Sequence, residues 1–125
     1  MFFDTEFLIC LEGGRGAAKQ KRALDFLESY DGVLFTSRVC WMEFASGFND
    51  IAGVHASLQE FEIKEVDEAI AWHASRIARE LKGSGLHIGD NDVWIAATAL
   101  VHRRPLVSNN VRHLGRVAGL DLRSY

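Results

Sequence analysis

Cysteine is scarce in this 125-residue sequence: there are only two, Cys10 and Cys40. Neither belongs to a CxxC pair, and no His/Cys spacing suits zinc, so a disulfide framework and a zinc-folded module are both set aside. Each falls inside a predicted helix and is expected as a reduced core thiol. Long apolar runs are lacking too. The longest, Val93 to Val101, is far short of the ~20 residues that span a bilayer, so no membrane association is expected. Met1-Phe2-Phe3-Asp4 has no basic n-region and does not read as a signal peptide. A cytoplasmic protein is the expectation. There is no internal repeat, low-complexity tract or linker, which leaves one domain over residues 1–125. The Gly13-Gly14-Arg15-Gly16 stretch lacks the GK[ST] ending of a phosphate loop and follows a helix, not a strand. No nucleophile elbow or Ser-His-Asp pattern occurs, and the five histidines show no metal-ligand spacing.

What the chain does contain is apolar side chains, 48% of it, enough to exclude disorder and to build a core. The net charge of −3 argues at first against a nucleic-acid partner, but the charge is unevenly spread. Residues 101–125 carry five arginines and one acid, while the first hundred hold nine basic and sixteen acidic residues. A basic C-terminal segment could meet phosphates while the acidic part holds cations, or both could be ordinary solvated surface.

Short apolar runs alternate with helical patterns. Strands are predicted at Met1–Phe3, Val33–Phe35, Phe61–Val66, Pro105–Ser108 and Leu120–Leu122. Helices are predicted over Thr5–Leu11, Ala17–Tyr30 (core stripe Ala23, Leu24, Leu27, Tyr30), Arg38–Phe48 behind a Ser37 cap, and Val54–Gln59. Asp67 caps a further helix to Lys82, with Ile70, Ala74, Ile77 and Leu81 on one face. The helix Asn91–His102 has no formal charge between Asp92 and Arg103 and should be buried on most sides. A helical turn follows at Asn109–Leu114. This alternation implies an α/β fold with a mainly parallel five-stranded sheet flanked by helices. Ligand sites in such folds form beyond the carboxyl ends of the strands, here near Asp4 and Asn109-Asn110.

Three carboxylates look out of place. Glu43 is the only charged residue between Arg38 and Asp50, Asp92 opens the apolar helix, and Asp4 closes a strand near the sheet centre. Singly, each has a plainer use: Asp4 and Asp92 as acceptors at helix N-termini, Glu43 in a pair with a buried arginine. Together they can converge on one sheet edge, where mutual repulsion calls for a cation. Oxygen ligands without His or Cys select a hard ion, Mg²⁺ or Mn²⁺, which suits phosphodiester hydrolysis.

Four blocks in order now carry a resemblance: Phe3-Asp4-Thr5, Trp41-Met42-Glu43-Phe44, the stretch from Ile88-Gly89-Asp90-Asn91-Asp92 to Leu100, and Leu106-Val107-Ser108-Asn109-Asn110 through Leu114 and Val117-Ala118-Gly119-Leu120. Together they span nearly the whole chain, which resembles PIN-domain nucleases and specifically the VapC-type toxins of bacterial toxin–antitoxin pairs. The resemblance implies a PIN-like single domain and a metal-dependent endoribonuclease. It also implies homodimerisation and inhibition by a cognate antitoxin, often through a basic side chain inserted into the acidic pocket. Carried over, Asp4, Glu43 and Asp92 would hold the metal. The family's fourth acidic position falls on Asn110, neutral here, which counts against tight binding of a second ion. Thr5 and Ser108 match residues near the metal, where Ser108 would orient a water or ligand. Leu114 replaces a frequent Phe. Asp90 is an extra acid, with work beside the metal or a capping role as alternatives.

Arg15, with Lys19, Lys21 and Arg22, could touch an RNA backbone or form a solvated helix face; Arg112 and Arg116 follow the site-bearing turn and could contact phosphate. Two other readings stand beside the nuclease. One is a catalytically weak PIN-like module acting through protein binding, favoured by Asn110. The other, a phosphoacceptor signalling domain, lacks an acceptor Asp after the middle strand and a Lys after a later one.

Overall fold

Strand β1 (Phe2–Phe3) is two residues long, yet it is the centre of the molecule in a computed structural model that describes residues 1–125. Five parallel strands pair in the order β3-β2-β1-β4-β5, where β2 is Leu34–Ser37, β3 Phe61–Lys64, β4 Leu106–Val107 and β5 Leu122–Arg123. The expected mainly parallel sheet is thus wholly parallel. Register sets Phe2 opposite Phe35 on one side and Leu106 on the other. Seven helices flank it: α1 (Thr5–Leu11), α2 (Ala17–Glu28), α3 (Arg38–Ala45), α4 (Ile51–Ser57), α5 (Glu68–Gly83), α6 (Asp90–Val101) and α7 (Val111–Leu114).

Side chains alternate across β1, so its two phenylalanines serve opposite faces. Phe3 packs among Phe7, Phe26, Tyr30 and Phe61 at ring separations of 4.6 to 6.1 Å, while Phe2 stacks on Phe35 and leans on His102. Both are buried, as a strand covered on both faces requires. The predicted face of α5 is buried at Ile70, Ala74, Ile77 and Leu81, and it packs against the largely buried α6. Cys10 and Cys40 are buried free thiols.

Element ends differ from the sequence reading for local reasons. Asp50 accepts from the Ala52 amide, so α4 starts at Ile51 and not at Val54. The Ser46 hydroxyl bonds to the Glu43 carbonyl, and α3 ends at Ala45 before Phe48. The second strand lies at Leu34–Ser37 instead of Val33–Phe35, because the Thr36 hydroxyl donates to the Phe3 carbonyl (2.8 Å) and makes a polar residue acceptable inside. Leu24 is exposed on α2, where Phe26 takes the inward position. β5 comes two residues later than expected, at Leu122–Arg123.

The glycine-rich turn before α2 is steric in origin. Gly16 caps the helix at φ +97°, and a Cβ on Gly14 would lie 2.8 Å from the Ile9 side chain. These glycines let α1 and α2 fold closely against each other.

Candidate metal centre

In the order β3-β2-β1-β4-β5 the chain leaves β1 toward β2 on one side and later returns to β4 on the other, which opens a crevice at the carboxyl ends of β1 and β4. Asp4 stands at its base. It caps α1, its Oδ1 accepting from the Phe7 amide at 2.9 Å, and its own amide bonds to the Val107 carbonyl across the crevice at 3.2 Å. Only 6% of Asp4 is exposed. Burial pushes its carboxyl up to about 6, against hydrogen bonds from Ser108 and Phe7 that pull down, with Glu6 and Asp92 adding to the rise.

Asp92, in the first turn of α6, is half-buried and also raised, by desolvation and then by the charge of Glu43, with His113 opposing. Its Oδ2 lies 3.4 Å from the Asn110 amide nitrogen and 3.9 Å from His113 Nδ1. Glu43, on α3, is turned toward two neighbours: Oε1 accepts from the Thr5 hydroxyl at 2.6 Å and Oε2 from the Asn91 amide at 3.3 Å. Ser108, fully buried after β4, accepts from the Asn110 backbone N–H at 3.0 Å.

Asp4, Asp92, Ser108 and Asn110 therefore meet at the crevice, with Glu43 and Thr5 on its α3 side. No three carboxylate, histidine or thiol side chains close around one point in this arrangement. The donors available are nevertheless hard oxygens. Burial pushes the Cys40 thiol up, so it stays protonated and unsuited to a metal. A nearly buried carboxyl raised by desolvation, beside a second raised one, is a group that a small divalent cation would satisfy.

Other sequence candidates go elsewhere. Asp90 is exposed and lines a surface groove with Trp94 and α5, with no hydrogen bond to the acids. Arg15 forks onto Glu6 at 2.7 and 3.1 Å, and Arg116 donates to the His87 carbonyl at 2.7 Å, bracing the segment before α6. Arg112 is exposed. Asn91, to which the sequence assigns no role of its own, bonds Glu43, and His113, which from the sequence lies near the site as a surface or capping residue, stands 3.9 Å from Asp92. His113 follows the α7 cap Asn110 by three, a helical spacing that puts both on one side.

Replacing the donor beside Asp92 tests the electrostatics. Asn110→Asp sets a carboxylate where an amide donates, and metal-free stability at pH 7.5 is expected to fall by on the order of 1 kcal/mol. Thermal unfolding in chelator-treated buffer reads it; an unchanged Tm would mean that the two side chains do not interact.

With this geometry in place, similarity to known proteins is informative. The PIN domain family model matches residues 1–120. Ribonuclease VapC1 of Haemophilus influenzae (strain R2866) is 36% identical over 125 residues, covering 94% of this chain and 92% of that protein. Ribonuclease VapC1 of Methanocaldococcus jannaschii is 40% identical over 65 residues, a match that spans 52% of this chain and about half, 48%, of that protein. Among solved structures, a toxin–antitoxin complex from Klebsiella pneumoniae superposes with a TM-score of 0.75 at 27% identity, covering 95% of this chain and 93% of that one. Fold and sequence agree, and the chain belongs to the PIN-domain family, on its VapC branch.

Proposed function

We propose that this chain is an endoribonuclease, dependent on Mg²⁺ with Mn²⁺ able to substitute, that hydrolyses RNA phosphodiester bonds as the toxin of an antitoxin-controlled pair. The observation that carries the reading is Asp4, a buried carboxyl raised to about 6 beside the raised Asp92 at the switch point of the sheet. Desolvated carboxylates held this close are costly unless a cation binds.

Asp4, Asp92 and Glu43 would hold the ion, which supplies Lewis-acid neutralisation of the phosphate and a more acidic attacking water. The remaining contributions are the chain's own. The Phe7 amide and Ser108 fix the Asp4 carboxyl. Thr5 and Asn91 keep Glu43 at the crevice wall, and Asn110 positions Asp92. In the hydrolysis a water oxygen bonds to phosphorus, the bond to the departing ribose oxygen breaks, and that oxygen takes up a proton.

The similarity to a toxin–antitoxin complex supports a cognate antitoxin as partner. A basic side chain of that partner, set among the acids, would block the crevice. For a homodimer, the surface best suited is the outer face of α5, where Trp72 is exposed beside Ala71 and Ser75. No helix is long and apolar enough to cross a membrane, and an RNA substrate favours a cytoplasmic site of action.

Asn110, together with Glu43 turned to Thr5 and Asn91, favours a second reading, a PIN-like module that binds proteins and cuts weakly. Cleavage of total RNA by the antitoxin-free protein separates the two. With Mg²⁺, discrete fragments are expected from the wild type, and EDTA or Asp92→Asn should remove them. Equal behaviour of wild type and variant, with and without metal, would give the second reading precedence.

A further inference from the structure

Two cations of α2 have no partner. Lys21 pairs with Asp25 and Arg15 with Glu6, whereas Lys19 and Arg22 make neither an ion pair nor a hydrogen bond. Three residues apart, they lie on one side of the helix, and both line a cavity of ≈ 110 Å³ whose other walls are Glu6, Cys10, Asn109 and Tyr125. The one acidic side chain in that wall is already matched by Arg15, so among the side chains Lys19 and Arg22 are the unmatched charges.

Its position matters more than its size. Glu6 lies in the first turn of α1, two residues after its cap Asp4, and Asn109 sits in the chain between Ser108 and Asn110. The cavity therefore abuts the crevice. Its far wall is firmly set: the Asn109 amide clasps the Tyr125 backbone, donating at 3.0 Å and accepting at 2.9 Å. The Tyr125 ring meets Phe7 edge-on at 4.8 Å, and its hydroxyl contacts Cys10 Sγ.

An acidic crevice repels a polyanion at the place where the chain must bring one in, and salt limits the help of distant charges to about 10 Å. We infer that this cavity receives a backbone phosphate of the RNA next to the bond being cut, with Lys19 and Arg22 supplying the charge that the crevice lacks. The inference rests on the ribonuclease reading and names the positioning residues of its substrate. It also accounts for a chain of net charge −3 binding RNA, since two free cations beside the centre serve better than a basic surface elsewhere.

Fluorescence anisotropy with a labelled single-stranded RNA, in EDTA so that nothing is cut, tests it. The Lys19→Ala/Arg22→Ala double variant is expected to bind on the order of tenfold more weakly. Its slope of log affinity against log salt should flatten by about 1.4, two charges at about 0.7 each for a single strand. Lys21→Ala removes one charge from the same helix but away from the cavity, and should bind as the wild type does. With Mg²⁺, the double variant should raise KM and leave kcat nearly unchanged, and its unfolding curve should match the wild type. A double variant that binds no worse than Lys21→Ala overturns the phosphate site and leaves the ribonuclease reading intact. A wild type that binds RNA through Lys19 and Arg22 yet cuts nothing overturns the ribonuclease reading and keeps the site. Absence of RNA binding by the wild type overturns both.

Discussion

Asp4→Asn is expected to yield a protein more stable than the wild type and far slower at cutting RNA. The folded state holds the Asp4 proton up to about 6 against an ordinary value of 3.8. Between those values the native chain binds more protons than the unfolded one, so stability falls as pH rises through that window. Above it the full cost of the buried charge applies, about 3 kcal/mol for a shift of this size. Asparagine keeps the shape, still accepts from the Phe7 amide as a good N-cap, and carries no charge. In metal-free buffer at pH 7.5 the variant should gain about 3 kcal/mol, a Tm rise on the order of 10 °C. That gain should shrink as pH is lowered toward 4. Mg²⁺ should raise the wild-type Tm and leave the variant unmoved. Cleavage should drop on the order of 10³-fold, the loss of several kcal/mol of transition-state stabilisation. A variant no more stable than wild type at pH 7.5 would show that the Asp4 charge is already compensated without metal.

Phe3→Ala should be the most damaging core substitution. Phe3 is fully buried and touches four aromatic rings drawn from α1, α2, the segment after α2 and β3. Truncation leaves a cavity that a two-residue strand pinned on both sides cannot close, and about 3–5 kcal/mol is expected. That is a large part of the roughly 5–15 kcal/mol that holds a domain together. Urea unfolding measures it, and a loss under 1 kcal/mol would mean that the ring cluster repacks. Because Asp4 follows directly, the variant should also lose Mg²⁺-dependent stabilisation before it loses helical content.

The parts of the centre that were legible in the sequence are those with a local cause. Asp4 ends an apolar strand, Asp92 opens an uncharged helix, Ser37 and Asp67 are caps, and each signal lies within a few neighbouring residues. The contacts that complete the centre were not legible. Asn91 with Glu43 and Thr5 with Glu43 join residues 48 and 38 apart, and only the packing of α1 and α6 on α3 creates them. Arg15 and Arg116 read as free cations because their partners, Glu6 and the His87 carbonyl, are set by turns and loops, not by a period. Thr36 misled the strand boundary for the same reason: its fitness for the interior depends on the Phe3 carbonyl of another strand.

The central place of β1 also dictates when the centre can exist during synthesis. Asp4 leaves the ribosome early, but its amide partner is the Val107 carbonyl and Ser108 bonds its carboxyl. Asp92 likewise awaits Asn110 and His113. A nascent chain that has made α1 to α6 holds every carboxylate and still has no crevice, because β4 is the strand that forms its other wall. Closure between residues a hundred apart is slow and comes last. On the proposed function, strand order alone withholds RNA cleavage from a growing chain until Val107 and Ser108 have been made.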